Sequence, residues 1–299
     1  MKKIILSIFI FSLFISCAEK VIKKEDVLNQ GIELYKKGEY DDAKEYLKKA
    51  IYKAQDMTTT DIMTARYYLA NIYYQQENYI DAIVEFEEYL SLFPTSPKVP
   101  EVLFKLADSY LKISPSPDRD LTYVRKALEK AEELIDNYPD TKYAMKAKQI
   151  IKKVRKIEAI HLMDIAELYQ NLGKYYSASI YYNLVYDEYP EQINKGEIIY
   201  KIAFNLSKIY EQYKDEIADY NVKIKRLQKK ISEERNLEKK NVLINRKKLL
   251  EEHLNKLKKR IIKGKERAIR ILKHGIDKYP KSRYKKEMEK LLNKLEKED

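Results

Sequence analysis

With one cysteine in 299 residues, the chain can close no internal disulfide, and the Cys/His spacings that hold zinc are missing. Its three histidines, His161, His253 and His274, lie far apart in sequence and none sits in a catalytic setting; His161 falls on a helix face that reads as solvated. No nucleophile–base pair, metal-ligand cluster or Gly-rich phosphate loop is visible, which argues against an enzyme and leaves no catalytic residue, cofactor or metal to assign. Glycine and proline are scarce, 6 and 8 residues. With 44% hydrophobic and 35% charged residues beside them, that scarcity suits an all-α solenoid better than a sheet protein.

What the chain does have is an internal repeat. Ala166, Tyr169, Gly173, Tyr175, Ala178, Tyr182 and Pro190 recur at identical spacing as Ala70, Tyr73, Glu77, Tyr79, Ala82, Phe86 and Pro94, with only the Gly position changed. This is the tetratricopeptide pattern: a small residue where two helices meet, a turn, an aromatic, Ala at the crossing, and a stop at Pro. Gly31, Leu34, Gly38, Tyr40, Ala43 and Ala50 fit the same template, with Asp26 as the expected N-cap. A third unit runs through Leu103, Leu106, Ala107 and Tyr110, then a long turn at 114–120, then Ala127, Ala131 and Pro139. From 141 to 172 no Gly or Pro intervenes, which predicts one helix of about 30 residues. A fifth unit opens at Ile199, Ile202, Ala203 and Leu206 and closes only at Ala268, Ile271, Leu272 and Pro280. Each helical pair leaves an apolar face that only a stacked neighbour covers, so the repeat residues read first as core.

The segment between the halves of repeat five carries two heptad seams, Ile217, Tyr220, Ile224, Leu227, Ile231 and Leu250, Leu254, Leu257, Ile261. Because the repeat's own helices must end up antiparallel, the insertion folds back, with a turn expected at 233–241 and Asn236 as the breaker. It is also basic, with 17 Lys and Arg against 8 Asp and Glu over 214–263, so most of the chain's surplus of +12 lies there. A solvated coiled coil and an arm for an acidic partner or lipid headgroups both fit that composition.

At the start, Lys2 and Lys3 precede an apolar run at 4–15, then Ser16 and Cys17. The run is a secretory signal, too short to span a bilayer as a helix. Nucleic acid is therefore not an expected partner, whatever the net charge. Leu13-Phe14-Ile15-Ser16-Cys17 resembles the bacterial lipoprotein cleavage motif. The resemblance implies cleavage before Cys17, acylation of that residue (palmitate and related chains), and, from Ala18, sorting to the outer membrane.

The expected organisation is therefore a signal peptide at 1–16, a lipidated tether at 17–25 and repeats one to three at 26–155. Repeats four and five follow at 156–213 and 264–299, with the basic antiparallel coiled-coil hairpin at 214–263. Together these make an all-α tetratricopeptide-repeat solenoid of five helical hairpins with a long hairpin inserted in the fifth. On that template, first-helix side chains face the concave groove, among them Tyr35, Tyr67, Asn71, Tyr74, Phe104 and Asp108. Tyrosine offers apolar area with a hydroxyl, and Asn can pair with an extended backbone, so the set reads as a peptide receiver.

Tyr67, Leu69, Ala70 and Tyr73, Tyr79-x-x-Ala82 and Phe93-Pro94 resemble the second repeat of the BamD-like outer-membrane β-barrel assembly lipoproteins. Arg119-Asp120-x-Thr122 with Tyr138-Pro139-Asp140-Thr141-x-Tyr143 resembles their third, and Ala166-x-x-Tyr169, Gly173-x-Tyr175 and Tyr189-Pro190 their fourth. The likeness covers about 27–213 and 265 onward; the hairpin departs from it. It implies a lipid-anchored scaffold on the periplasmic side of the outer membrane, without catalysis. Its N-terminal repeats would receive nascent outer-membrane β-barrel proteins, and its C-terminal repeats would engage the barrel-forming (BamA-like) subunit. The competing reading from the same features is another periplasmic repeat lipoprotein that scaffolds cell-envelope or division complexes.

Overall fold

The computed structural model describes residues 24–54, 56–117 and 119–297, so Cys17 and the signal segment lie outside the described residues. Every regular element among them is a helix: α1 (Lys24–Lys37), α2 (Tyr40–Tyr52), α3 (Thr59–Gln75), α4 (Tyr79–Leu92), α5 (Val99–Lys112), α6 (Thr122–Asn137), α7 (Lys142–Asn171), α8 (Tyr175–Glu188), α9 (Lys195–Ser207), α10 (Ile209–Glu233), α11 (Leu237–Lys278) and α12 (Lys285–Lys297). α1 begins upstream of Asp26, inside the stretch read as tether, so Asp26 is a helical residue and not the N-cap.

The helices start and stop for local reasons. Thr58 and Asp61 form a reciprocal capping box at the start of α3, each side chain accepting from the other's backbone N–H (2.9 and 3.2 Å). Asn78, Asn194 and Asn236 cap α4, α9 and α11 by accepting from the N–H three residues on. The turns α1–α2, α3–α4 and α7–α8 share one motif. Glu39, Asn78 and Lys174 each donate N–H to the carbonyl five residues back (Leu34, Tyr73, Tyr169) at 2.9–3.0 Å. In all three the preceding residue is left-handed. Gly38 (φ 83°) and Gly173 (φ 69°) take that conformation without strain, whereas Glu77 is forced to φ 58°.

Four helices stop at an aromatic followed by Pro: α4 at Phe93, α6 at Tyr138, α8 at Tyr189 and α11 at Tyr279. In each the aromatic N–H still reaches the carbonyl four residues back, and the following Pro forbids another turn. The far end of α11 therefore terminates as the second helices of the earlier pairs do.

The chain divides into two compact units, Met1–Ser114 with Thr122–Ile151, and Pro115–Leu121 with Lys152–Asp299; the division falls within α7. In the first unit α1 packs on α2, α3 on α4 and α5 on α6, and the pairs meet through α2–α3 and α4–α5. Leu47, Leu69, Phe86, Leu103 and Leu134 are fully buried in it. Gly31 marks one close approach, since a Cβ there would lie 3.0 Å from Leu47. In the second unit α8, α9 and the C-terminal half of α11 share a core around Tyr182, Ile202, Ala268 and Leu272, closed by Met288 and Leu295 of α12. A Cβ on Gly275 would stand 2.5 Å from Ile199 Cγ2, so α11 meets α9 there because the residue is glycine. α10 and α11 run as a pair to the turn at 234–236, inside the interval read from sequence, with Ile224, Leu227 and Leu254 buried between them.

Candidate functional site

The helical period places Glu101, Phe104, Lys105 and Asp108 of α5 on one face, and Tyr67, Asn71 and Tyr74 of α3 on another. In the first unit these faces meet. The Tyr74 hydroxyl donates to Asp108 Oδ2 at 2.7 Å, and the Lys105 ammonium lies 5.7 Å from the Tyr74 ring centre. Lys105 donates to Glu101 Oε1 at 2.7 Å and also to Asn71 Oδ1. The hydroxyls of Tyr67 and Tyr143 also face the Glu101 carboxylate closely enough to couple to its charge.

Rings extend this face in both directions. Tyr35 meets Tyr68 edge-on at 5.0 Å, and Tyr68 meets Tyr67 at 5.5 Å. Phe104 stacks on Tyr143 at 6.1 Å, with Lys146 5.2 Å from the Phe104 ring centre. Lys98 lies 5.1 Å from the centre of the Tyr67 ring. The result is a half-buried strip of aromatic faces edged by cations, a geometry worth about 0.5–1 kcal/mol per cation–ring pair at such exposure.

The electrostatics follow from the geometry. Burial alone would raise the Glu101 carboxyl, but the hydrogen bond from Lys105, the nearby Tyr67 hydroxyl, the Lys105 charge and the Tyr143 hydroxyl outweigh it and hold the group at about 2. The partner phenols move the other way: burial, reinforced by Glu101, pushes Tyr143 up to about 12 and raises Tyr67, while burial and Asp108 raise Tyr74. At neutral pH every one of these phenols is therefore protonated beside a carboxylate, and Tyr74 donates to its own.

Two features of the strip differ from the sequence expectation. Asn71 is buried (1% exposed), with its amide donating to the Tyr67 carbonyl at 2.6 Å and its oxygen taken by Lys105. It braces the strip from below and is not available to pair with an incoming backbone. The Tyr74 hydroxyl donates to Asp108 and the Tyr67 hydroxyl faces Glu101, so those residues offer ring surface more than hydrogen bonds. Tyr35, Tyr67, Tyr74, Phe104 and Asp108 are all half-buried, and Asp108 is occupied by Tyr74. Sequence reasoning missed Glu101, Lys105 and Tyr143. The Glu101–Lys105 pair, one turn apart on the face that carries Phe104 and Asp108, was the available signal.

Residues 21–217 match the YfiO family, described as outer membrane lipoprotein. The chain belongs to that family. It is also 31% identical, over 273 residues, to the putative outer membrane protein assembly factor BamD of Aquifex aeolicus (strain VF5), covering 90% of this chain and 88% of that one. The matched YfiO stretch includes every helix of the aromatic strip and stops within α10. Among solved structures, a thermophilic tetratricopeptide-repeat protein of Thermus thermophilus aligns over 76% of this chain and 98% of its own, at 16% identity and a TM-score of 0.32. A repeat protein of Bacteroides fragilis aligns over 93% and 99% at 12% identity, TM-score 0.36. Superpositions this loose carry no argument about the YfiO-family chain.

The second unit holds a cleft of about 770 Å³ between α9, the first turn of α10, α11 and α12. Its floor is apolar and aromatic, with Tyr200, Phe204, Ile261 and Leu291, and Lys208, Lys265, Lys290 and Lys294 stand at its rim beside Glu211 and Glu287. His161, read as solvated, is half-buried instead, its Nδ1 2.6 Å from the Pro117 carbonyl oxygen, so it fastens the 115–121 segment to α7. Among the described residues no His, Cys, Asp and Glu group is arranged to hold a metal ion.

Proposed function

We propose that this chain is a non-enzymatic scaffold of the outer-membrane β-barrel assembly machinery. It is anchored through acylated Cys17 and faces the periplasm, with five helical hairpins, the fifth carrying the inserted coiled coil. The observation that carries the reading is the match over 90% of the chain to a protein named as an outer membrane protein assembly factor. The aromatic strip of the first unit receives nascent outer-membrane proteins, and the cleft of the second unit docks the barrel-forming, BamA-like subunit.

The chemistry of the strip supports that division. Along a β-barrel strand outward-facing apolar and aromatic residues alternate with inward-facing polar ones. A receiver for such a strand needs ring surface and few unsatisfied polar groups, since a buried donor left without a partner costs about 1–3 kcal/mol. Here the polar atoms are already paired with Glu101, Asp108 and Lys105, and the rings of Tyr35, Tyr67, Tyr74 and Phe104 remain half-exposed.

The test is affinity for a peptide copied from an amphipathic barrel strand, measured by isothermal titration. Tyr67→Ala with Phe104→Ala should weaken binding at least tenfold, at unchanged helicity by circular dichroism; unchanged affinity removes the strip from the reading. A pull-down from solubilised outer membrane should bring down a large β-barrel protein, and failure to do so counts against assembly altogether.

A further inference from the structure

We propose that the tip of the α10–α11 hairpin is a docking element for an anionic bilayer surface. The tip combines uncompensated cations with outward-facing aliphatic side chains.

The charge is concentrated. Residues 229–248 contain eight Lys and Arg against three Glu. Lys229 reaches Glu233 at 3.9 Å and Lys247 reaches Glu251 at 3.3 Å. Lys230, Arg235, Lys239, Lys240, Arg246 and Lys248 make no ion pair among the described residues, and all but the half-buried Lys240 are exposed. An ordinary solvated hairpin interleaves both signs along its faces, as α2 does with Lys44–Asp41 and Lys49–Glu45.

The apolar side chains are out of place for a solvated arm. Leu237 is 73% exposed, Val242 65% and Ile244 44%, although the neighbouring seam residues Leu243 and Leu250 turn inward and Leu254 is buried. At 100° per residue Leu237 and Ile244 stand on one flank of the seam and Val242 on the other, each roughly 100–120° away from it. From Leu237 to Ile244 is about 10 Å along the axis, close to the depth an interfacial segment sinks below the headgroups.

This geometry selects the occupant. An acidic protein helix would want a stripe or groove on one side of the arm. The tip instead presents aliphatic groups on opposite flanks with cations around them, which only a surface met end-on can satisfy together. Such a surface must be apolar within and anionic at its edge, as a bilayer rich in acidic lipid is. The inference is independent of the substrate reading.

The experiment uses the full chain carrying Cys17→Ala, so that no acyl chain contributes, and vesicles of phosphatidylcholine with or without about 30 mol % phosphatidylglycerol as the source of anionic surface charge. The sequence contains no tryptophan, so Val242→Trp is a lone reporter at the tip and Val222→Trp, 47% exposed on α10, a lone reporter midway along the arm. Expected are a blue shift at 242 and not at 222 with the acidic vesicles, little shift with phosphatidylcholine alone, and loss of the effect as salt rises. Each cation near an acidic leaflet is worth roughly fivefold in binding. The combination K239Q, K240Q, R246Q and K248Q should therefore weaken vesicle binding by roughly several hundredfold at unchanged helicity. Equal shifts at both reporters, no preference for acidic lipid, or binding to soluble polyglutamate with residue 242 still in water would overturn the proposal, the last in favour of an acidic protein partner.

Discussion

The α3–α4 pair and the α10–α11 hairpin are both two helices joined by a short turn, and they are held together differently. In α3–α4 five apolar residues of the first helix and four of the second are buried, because helices pack on the pair from before and after as well. Between the hairpin arms over 214–263 only Ile224, Leu227 and Leu254 are buried, and the remaining seam residues are half-exposed. The pair is acidic, with Arg66 as its one cation over 59–92 reaching Glu85 at 3.1 Å, whereas the hairpin keeps a surplus of nine positive charges over 214–263. Similar local helix signals thus lead to a dense stack in one place and a thin, self-repelling arm in the other. The difference is the number of neighbours available to cover each face.

The contrast breaks most readily in the core. Phe86→Ala should destabilise the first unit by about 3–5 kcal/mol, whereas Leu254→Ala should cost about 2, because a two-helix seam relaxes around a deletion. Urea unfolding read by circular dichroism checks this, and equal losses would mean the arm is as well packed as the stack.

Acid sharpens it next. The Glu101 carboxyl is held at about 2 against an ordinary value of 4.5. Its folded-state value is lowered, so the stability it contributes is present above about pH 4.5 and is lost as pH falls toward 2. Glu101→Gln should cost roughly 2 kcal/mol at about pH 7, from its charged hydrogen bonds, and almost nothing near about pH 2. A pH-independent difference between the two proteins would show that the carboxylate charge is not what holds Lys105, Tyr67 and Tyr143.

Salt should move the two regions unequally. Raising ionic strength from about 50 to about 500 mM screens the arm's self-repulsion and should slow its amide hydrogen exchange by a few-fold, about 1 kcal/mol, with exchange in α3 and α4 changing by less than half that. An effect of similar size lies at the shared turn. Glu77→Gly relieves a left-handed residue and should add about 1 kcal/mol, and Gly38→Ala should remove a similar amount from the matching turn. A melting temperature that does not rise in the first or fall in the second would mean the motif carries no strain.

Much of this was legible locally. The 141–172 stretch without Gly or Pro became α7 (Lys142–Asn171), and Asn236 caps α11 where a breaker was expected. The Gly173/Glu77 mismatch between repeats reappears as one turn with and without a strained residue. What stayed hidden depended on partners distant in sequence. Asn71 reads as a groove ligand until Lys105, 34 residues on, takes its oxygen. Glu101 reads as a surface acid until Tyr67 and Tyr143 converge on it. α12 had no separate signal, since its register becomes meaningful only when Met288 and Leu295 find the α9–α11 core.

Caps, left-handed turns, aromatic–Pro stops and heptad spacing act within a few residues, so the amino-acid order alone set where helices begin, end and fold back. Which tyrosine keeps a free ring face, which polar side chain is consumed as a brace, and which helix face is left to meet something else came only with tertiary packing. Those outcomes depend on desolvation and hydrogen bonding between groups 34 residues apart, and such pairings leave no period in the sequence.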